Sequence, residues 1–284
     1  MTEMLSLRAK IEQSPMGAYQ WMIVVMAAIM NLLDGFDVLA LAFTATAIRG
    51  EFRLTGIELG YLLSAGLFGM TAGSLFLAPL ADKIGRRPLL LMAVSLSAIG
   101  MLGSAFISQY QWLGFWRVIT GLGVGGILVG TNVITSEYSS RKWRSFAISV
   151  YAAGFGIGAV LGGMFAVMLQ GEYGWRSVFL AGAILTSLLL VVLFIWLPES
   201  IDFLTSKQPK NAEVRLNLIA KRIGLAGDWK LPEKAEKLKT KLPISQLFSE
   251  KYLHSTLLIW TAFFAIMFSF YFISSWTPAL LKEA

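Results

Sequence analysis

Residues Trp21–Ile48 read WMIVVMAAIMNLLDGFDVLALAFTATAI. The run is long enough to cross a bilayer: about 20 apolar residues in a helix span ~30 Å of hydrocarbon. In its middle, NLLDGFDVLA (Asn31–Ala40) places Asp34 and Asp37 three residues apart, with Gly35 beside the first. One such run is compatible with a buried helix of a soluble core. The pattern recurs, however, at 21–48, 57–81, 88–108, 112–136, 145–169, 175–197 and 254–281. No globular core hides seven such runs, so the sequence predicts an all-α integral membrane protein.

Composition agrees. The 284 residues are 56% hydrophobic and 14% charged, against about 25% charged in soluble domains. Cysteine is absent and histidine occurs once, at His254, which leaves no disulfide framework, thiolate metal site or histidine metal cluster. The same absences leave an intramembrane enzyme without a nucleophile or metal, so no enzymatic activity is expected. The net charge of +7 does not point to nucleic acid, because the basic residues gather in short segments between apolar runs.

Those segments set a predicted orientation. With residues 1–20 as a cytoplasmic N-terminus, the inside segments hold Arg8, Lys10, Lys83, Arg86, Arg87, Arg141, Lys142 and Arg144. The outside segments hold Arg49, Arg53, Arg176 and the terminal Lys282. This is the positive-inside pattern. Residues 198–253 then form a polar central loop on the cytoplasmic side. Its KQPKNAEVRLNLIAKRIG (207–224) and PEKAEKLKTKLP (232–243) have the look of amphipathic surface helix, but a solvated linker is the expectation adopted. Six spans precede the loop and one follows, so the chain reads as truncated after the start of a second half.

Glycines four apart (Gly69 and Gly73, Gly121 and Gly125, Gly126 and Gly130, and Gly154, Gly158 and Gly162) predict close helix contacts. Ordinary bundle packing is the simpler role; smooth faces that slide are the other.

Asp34 lies near the bilayer centre, about 20 Å into the first span. Asn31, Asp34, Asp37 and Thr44 share one broad helical stripe. An ionised aspartate at that depth costs at least ~2.5–3.5 kcal/mol. It must face a cavity or partner, or take up a proton. A proton site is the functional expectation; a salt bridge or a broken helix is the structural one. Arg117, in LGFWRVITGLGVGG, is the second buried charge. It is expected to pair with Asp37, to meet a substrate carboxylate, or to bond to the backbone of the first helix.

The loop APLADKIGRRP (Ala78–Pro88) resembles the signature between helices two and three of the major facilitator superfamily, G-x-L-A-D-R-x-G-R-R. Asp82, Gly85, Arg86 and Arg87 match it, Lys83 stands for an arginine, and Ala78 for a glycine. Leu113–Gly125 is similar to the family's fourth-helix motif, with Arg117 at its arginine. Glu137 and Arg144 resemble its E…R pair, and LPES (Leu197–Ser200) the sequence after helix six of organic-solute porters. Ala159, where drug antiporters carry proline, argues against an exporter. DGFD and YFISSWTPALL (Tyr271–Leu281) resemble helices one and seven of the aromatic acid:proton symporters.

The resemblance implies a major facilitator fold, here the N-terminal six-helix half plus a seventh helix. It implies a bacterial plasma-membrane symporter that imports hydroxybenzoate-like aromatic carboxylates, driven by the proton gradient without a cofactor, and monomeric when intact. Asp34, Asp37 and Arg117 would serve proton and substrate. Asp82, Lys83, Gly85, Arg86, Arg87, Glu137 and Arg144 would form a cytoplasmic latch. Phe264, Phe268, Tyr271 and Trp276 would stack on a substrate ring. The rivals are a porter of the same fold for a non-aromatic acid or sugar, and a fragment inactive on its own.

Overall fold

The short polar breaks between apolar runs become turns of one to five residues, and the runs become antiparallel helices. The computed structural model describes residues 7–225, 227–231 and 248–283, which divide into two compact units, Met1–Leu231 and Pro232–Ala284. The first unit holds α1 (Leu7–Gln13), α2 (Ala18–Phe52), α3 (Gly56–Ile84), α4 (Arg86–Ala105), α5 (Tyr110–Tyr138), α6 (Arg144–Tyr173), α7 (Arg176–Trp196), α8 (Ile201–Lys207) and α9 (Ala212–Ile223). The second holds α10 (Glu250–Glu283). Seven of these, α2–α7 and α10, are long and apolar enough to cross a membrane.

Local sequence explains where the helices start. Thr55 and Glu58 form a reciprocal capping box at α3, with Thr55 N–H donating to Glu58 at 2.8 Å. Gln20 returns to the Gly17 N–H at 2.8 Å and starts α2. The turn between α3 and α4 is the single residue Gly85, at φ +104°.

Six helices pack as pairs. α2 lies against α6, α3 against α5, and α4 between α5 and α7. Glycines make the two closest pairs possible. A Cβ on Gly69 or Gly73 would overlap α5 backbone, and one on Gly121 or Gly125 would overlap α3 backbone. On the other pair, a Cβ on Gly158 would overlap the Leu32 carbonyl. Gly126 and Gly130 face Ala93 and Leu90 of α4. Every predicted glycine pair therefore lies in a helix contact. Elsewhere α3 and α6 show large apolar side chains outward, among them Phe68, Phe76, Val160 and Met164. In a membrane such faces meet lipid or other helices.

Residues 198–231 are not the solvated linker expected. After a tight turn, α8 and α9 bury Ile201, Leu204, Leu216, Ile219 and Ala220 on the ends of α2, α5 and α7, in one cluster with Tyr138, Leu193 and Leu197. The apolar residues recur at helical spacing, and that face outweighs the surrounding lysines. α1 joins the same cluster through Leu7 and Ile11. The PEKAEKLKTKLP segment lies outside the described residues.

Candidate functional site

Each residue of DGFD has a distinct neighbour. Helix α2 runs unbroken through the motif. A Cβ on Gly35 would overlap the Phe155 carbonyl, so this glycine lets α2 and α6 touch backbone to backbone beside the acids. Phe36 enters the core with Met101, Phe179 and Ala183. Asp34 and Asp37 are 2% and 1% exposed.

Asp37 turns toward α4. Ser97 Oγ donates to its Oδ2 at 2.6 Å, while Oδ1 is buried without a hydrogen-bond partner. Gly182 of α7 closes that side: a Cβ there would stand 3.3 Å from Oδ1. Asp34 Oδ2 and Asn31 Oδ1 are likewise buried and unpartnered, although Asn31 Nδ2 donates to the Tyr151 carbonyl at 2.8 Å. Among the described residues neither aspartate forms an ion pair. The salt bridge and the broken helix that would have made the acids purely structural are both absent there.

Arg117 bonds to the backbone of the first membrane helix. Its Nη1 donates to the Asp37 backbone carbonyl at 3.3 Å rather than to the carboxylate. Nη2 donates to Thr120 Oγ1 at 2.9 Å and Ser104 Oγ at 3.1 Å, and Nε to Ser104 at 3.3 Å. The Phe179 ring lies 4.8 Å from the guanidinium carbon. Ser104 and Thr120 donate their own protons to Gly100 O and Trp116 O, so their lone pairs are left to the guanidinium. A 3%-exposed cation is thus held by neutral dipoles and a ring, beside Asp37 and with no carboxylate bound to it. Such a cation retains its attraction for an anion.

Ser97, Met101, Ser104 and Phe179 escaped the sequence reading. Part of the signal was available: Ser97 and Ser104 are seven apart, two turns along one face of an otherwise apolar helix.

The latch residues sit at the end of the bundle where α4 begins. Arg86 pairs with Asp82 one turn earlier at 2.8 Å, yet the Asp82 side chain is 64% exposed and Arg86 Nη1 is buried without a partner. Lys83 is exposed. Arg87 donates to the carbonyls of Leu197 and Phe194 at 2.8 and 2.7 Å. Gly85 leaves room for Glu199, whose carboxylate accepts from the Arg86 and Arg87 N–H groups at 2.7 and 3.1 Å and so caps α4.

Glu137 and Arg144 do not meet. Glu137 accepts from Ser200 Oγ at 2.9 Å and from the Ile201 N–H at 2.8 Å, at the start of α8. Arg144 instead pairs with Glu12 of α1 at 2.6 Å. That bond holds the Glu12 carboxyl below the usual range for glutamate. Arg8 of α1 pairs with Asp202 of α8. The reason for the rearrangement is α1 itself, which brings an acid the motif does not contain.

In the second unit, α10 stacks Phe264 on Phe268 at 6.0 Å, and Phe268 on Phe272 at 6.1 Å. Phe264 and Phe268 are exposed, and Tyr271 and Trp276 are partly buried.

The sequence model of the Major Facilitator Superfamily matches residues 27–284. A gallate transporter of Pseudomonas putida is 33% identical over 273 residues, covering 96% of this chain and 61% of the relative. The 4-hydroxybenzoate transporter PcaK of the same organism is 32% identical over 283 residues, covering 99% and 63%. The chain thus spans under two thirds of the length of these relatives. Among solved structures, the proton:xylose symporter XylE bound to 6-bromo-6-deoxy-D-glucose superposes with TM-score 0.65 at 22% identity, over 74% of this chain and 50% of that one.

Proposed function

The chain belongs to the Major Facilitator Superfamily, and on that premise we propose that it serves a secondary active transporter importing aromatic carboxylates with protons. The observation that carries the reading is the buried constellation in mid-bundle. Two aspartates with unpartnered oxygens stand one turn apart on α2, and the second, Asp37, lies beside an arginine that binds no carboxylate. Relatives named for gallate and 4-hydroxybenzoate transport support the substrate class.

A proton from outside neutralises the Asp34–Asp37 pair. Neutralisation removes the repulsion between the acids and the cost of holding charge in a low-dielectric site. A substrate carboxylate replaces the long 3.3 Å contact of Arg117 to the Asp37 carbonyl and supplies the missing anion. Loaded with opposite charges cancelled, the site passes across the membrane by rocking of the two halves of a major facilitator. The proton gradient drives the cycle. In this reading the N-terminus and the basic end of the bundle face the cytoplasm of a bacterial cell; the distribution of Lys and Arg supports that orientation. There Asp82, Lys83, Gly85, Arg86 and Arg87, tied to Glu137 and Arg144 through α8 and α1, act as the latch. Phe264, Phe268, Tyr271 and Trp276 offer rings for the substrate.

The test is uptake of radiolabelled 4-hydroxybenzoate by cells expressing the protein, with and without a proton uncoupler. Asp34→Asn and Asp37→Asn are each expected to abolish uncoupler-sensitive accumulation, and Arg117→Gln to raise the half-saturating concentration at least tenfold. Accumulation that survives both aspartate changes removes the coupling role. Accumulation of a sugar in place of the aromatic acid removes the substrate class.

A further inference from the structure

The turn between α5 and α6, SSRKWRS (Ser139–Ser145), carries three cations and no acid. Arg144 is engaged by Glu12. Arg141 and Lys142 are exposed, and neither forms an ion pair among the described residues. The Arg141 backbone N–H bonds to the Glu12 carbonyl at 2.9 Å, which fixes the turn while leaving its side chain outward. Lys142 Nζ lies 5.6 Å from the centre of the Trp143 ring.

Around these cations stands an aromatic cluster. Trp21 meets Trp143 at 5.8 Å and Phe146 at 6.1 Å, and Trp143 meets Phe146 at 5.8 Å, all edge to face. Trp143 and Phe146 are 38% and 53% exposed. Trp21 is in the first turn of α2 and Phe146 in the first turn of α6, at the ends of two helices long and apolar enough to cross a membrane. Indole rings favour this headgroup level. Below Trp21 the outward stripe continues one and two turns on, at Val25 and Ile29, which are 50% and 41% exposed. The surface therefore offers cations, then interfacial rings, then an apolar track running into the membrane. That order matches a phosphate-bearing amphiphile and not a free anion, which has no use for the track.

We propose that Arg141, Lys142, Trp21, Trp143 and Phe146 form a docking surface for an anionic phospholipid of the surrounding bilayer. The phosphate lies against the two cations, and an acyl chain follows Val25 and Ile29.

The experiment titrates the full chain, purified in a non-ionic detergent, with phosphatidylglycerol or phosphatidylcholine and counts bound lipid by native mass spectrometry. Arg141→Gln/Lys142→Gln is expected to weaken phosphatidylglycerol binding about 30-fold, from roughly fivefold per cation. Lys207→Gln/Lys210→Gln, with the same change in charge, is expected to leave it within twofold. Equal affinity for phosphatidylcholine, an equal loss in the control pair, or full competition by millimolar inorganic phosphate overturns the proposal. If the double variant does not fold, the wild-type chain answers alone: lipid with bromine in the upper acyl chain is expected to quench tryptophan fluorescence more strongly as phosphatidylglycerol than as phosphatidylcholine. Equal quenching overturns the proposal as well.

Discussion

At Gly85 and at Gly174 the backbone turns in the same way, at opposite ends of the bundle. The first has φ +104° and ψ 164°, the second φ +78° and ψ 168°. Each precedes a helix whose early arginine reaches back to the end of a distant one. Arg87 of α4 donates to the Leu197 carbonyl after α7, and Arg176 of α7 donates to the Ile107 carbonyl after α4. The helix pairs obey the same exchange: α2 with α6 corresponds to α5 with α3. This is the internal repeat of three helices expected within a six-helix half.

The two turns differ in what closes them. At Gly174, Glu51 receives both ends of the Arg176 guanidinium, at 2.7 and 2.9 Å, and the Trp175 indole N–H at 2.7 Å. The arginine, the carboxylate and the indole satisfy one another. At Gly85, Asp82 is mostly exposed and Arg86 keeps a buried donor without a partner. One end of the repeat is a finished fastener, while the other retains bonding capacity for something outside it. That asymmetry is what a latch needs, since a contact made in only one transport state must be open in the other.

The largest expected effect separates the glycines. Both lie where only glycine is at ease, and a side chain there costs about 1–3 kcal/mol. Gly174 has open space around it, whereas a Cβ on Gly85 would strike the Glu199 carboxylate. Gly85→Ala is expected to lower the thermal midpoint in detergent clearly more than Gly174→Ala. Equal shifts would show that Glu199 yields freely and is no fixed part of the turn.

Next in size are the acids. Glu199 is 6% exposed and caps α4 with its charge. Glu199→Gln is expected to destabilise by about 1–2 kcal/mol, the upper part of the range for a charge at a helix N-terminus. Glu51→Gln, at a pair about 40% exposed on each side, should cost under about 1 kcal/mol. Denaturant titration of both variants checks the order. Asp82→Asn is expected to change stability by less than about 0.5 kcal/mol, because its side chain is 64% exposed and its one pair is local. It should still slow transport several-fold while leaving substrate affinity intact. Unchanged transport would remove Asp82 from the latch.

How much of this was legible in the sequence follows from how far apart the partners lie. Length, hydropathy and lysine placement reveal the spans because each is a property of one segment. Asp34, Asp37 and Arg117 stand out because any charge in such a segment is conspicuous. Glu12 does not stand out, and Glu199 does so only as part of LPES, with nothing to say what it binds. The role of each comes from a helix start or arginine more than 100 residues away. The glycine spacing shows that helices touch, but which helix touches which is a matter of tertiary packing. Ser97 and Ser104 are hidden by their mildness, since a serine in a membrane helix bonds a carbonyl one turn back in its own helix as readily as a neighbouring helix.

The smallest effect tests whether the open end is held by α1. Arg144 holds Glu12 in its charged form, so the folded carboxyl has a lower pKa than the unfolded one. A depressed carboxyl contributes stability that is fully present above the unfolded value, about 4.3, and is lost as pH falls through the folded value. The pair is about a third exposed on each side, which places its worth under about 1 kcal/mol. Thermal midpoints of the wild type and Glu12→Gln should therefore differ slightly and evenly from pH 7 down to about 5, then converge as the pH drops below about 4. The Gly174 end has no counterpart of α1 among the described residues, so Glu51→Gln should show its deficit without depending on Arg144, and a Glu12→Gln/Arg144→Gln double variant should be no worse than Glu12→Gln alone. A double variant markedly worse than either single change would mean that Arg144 has a second partner, and that Glu12 is not what draws it away from Glu137.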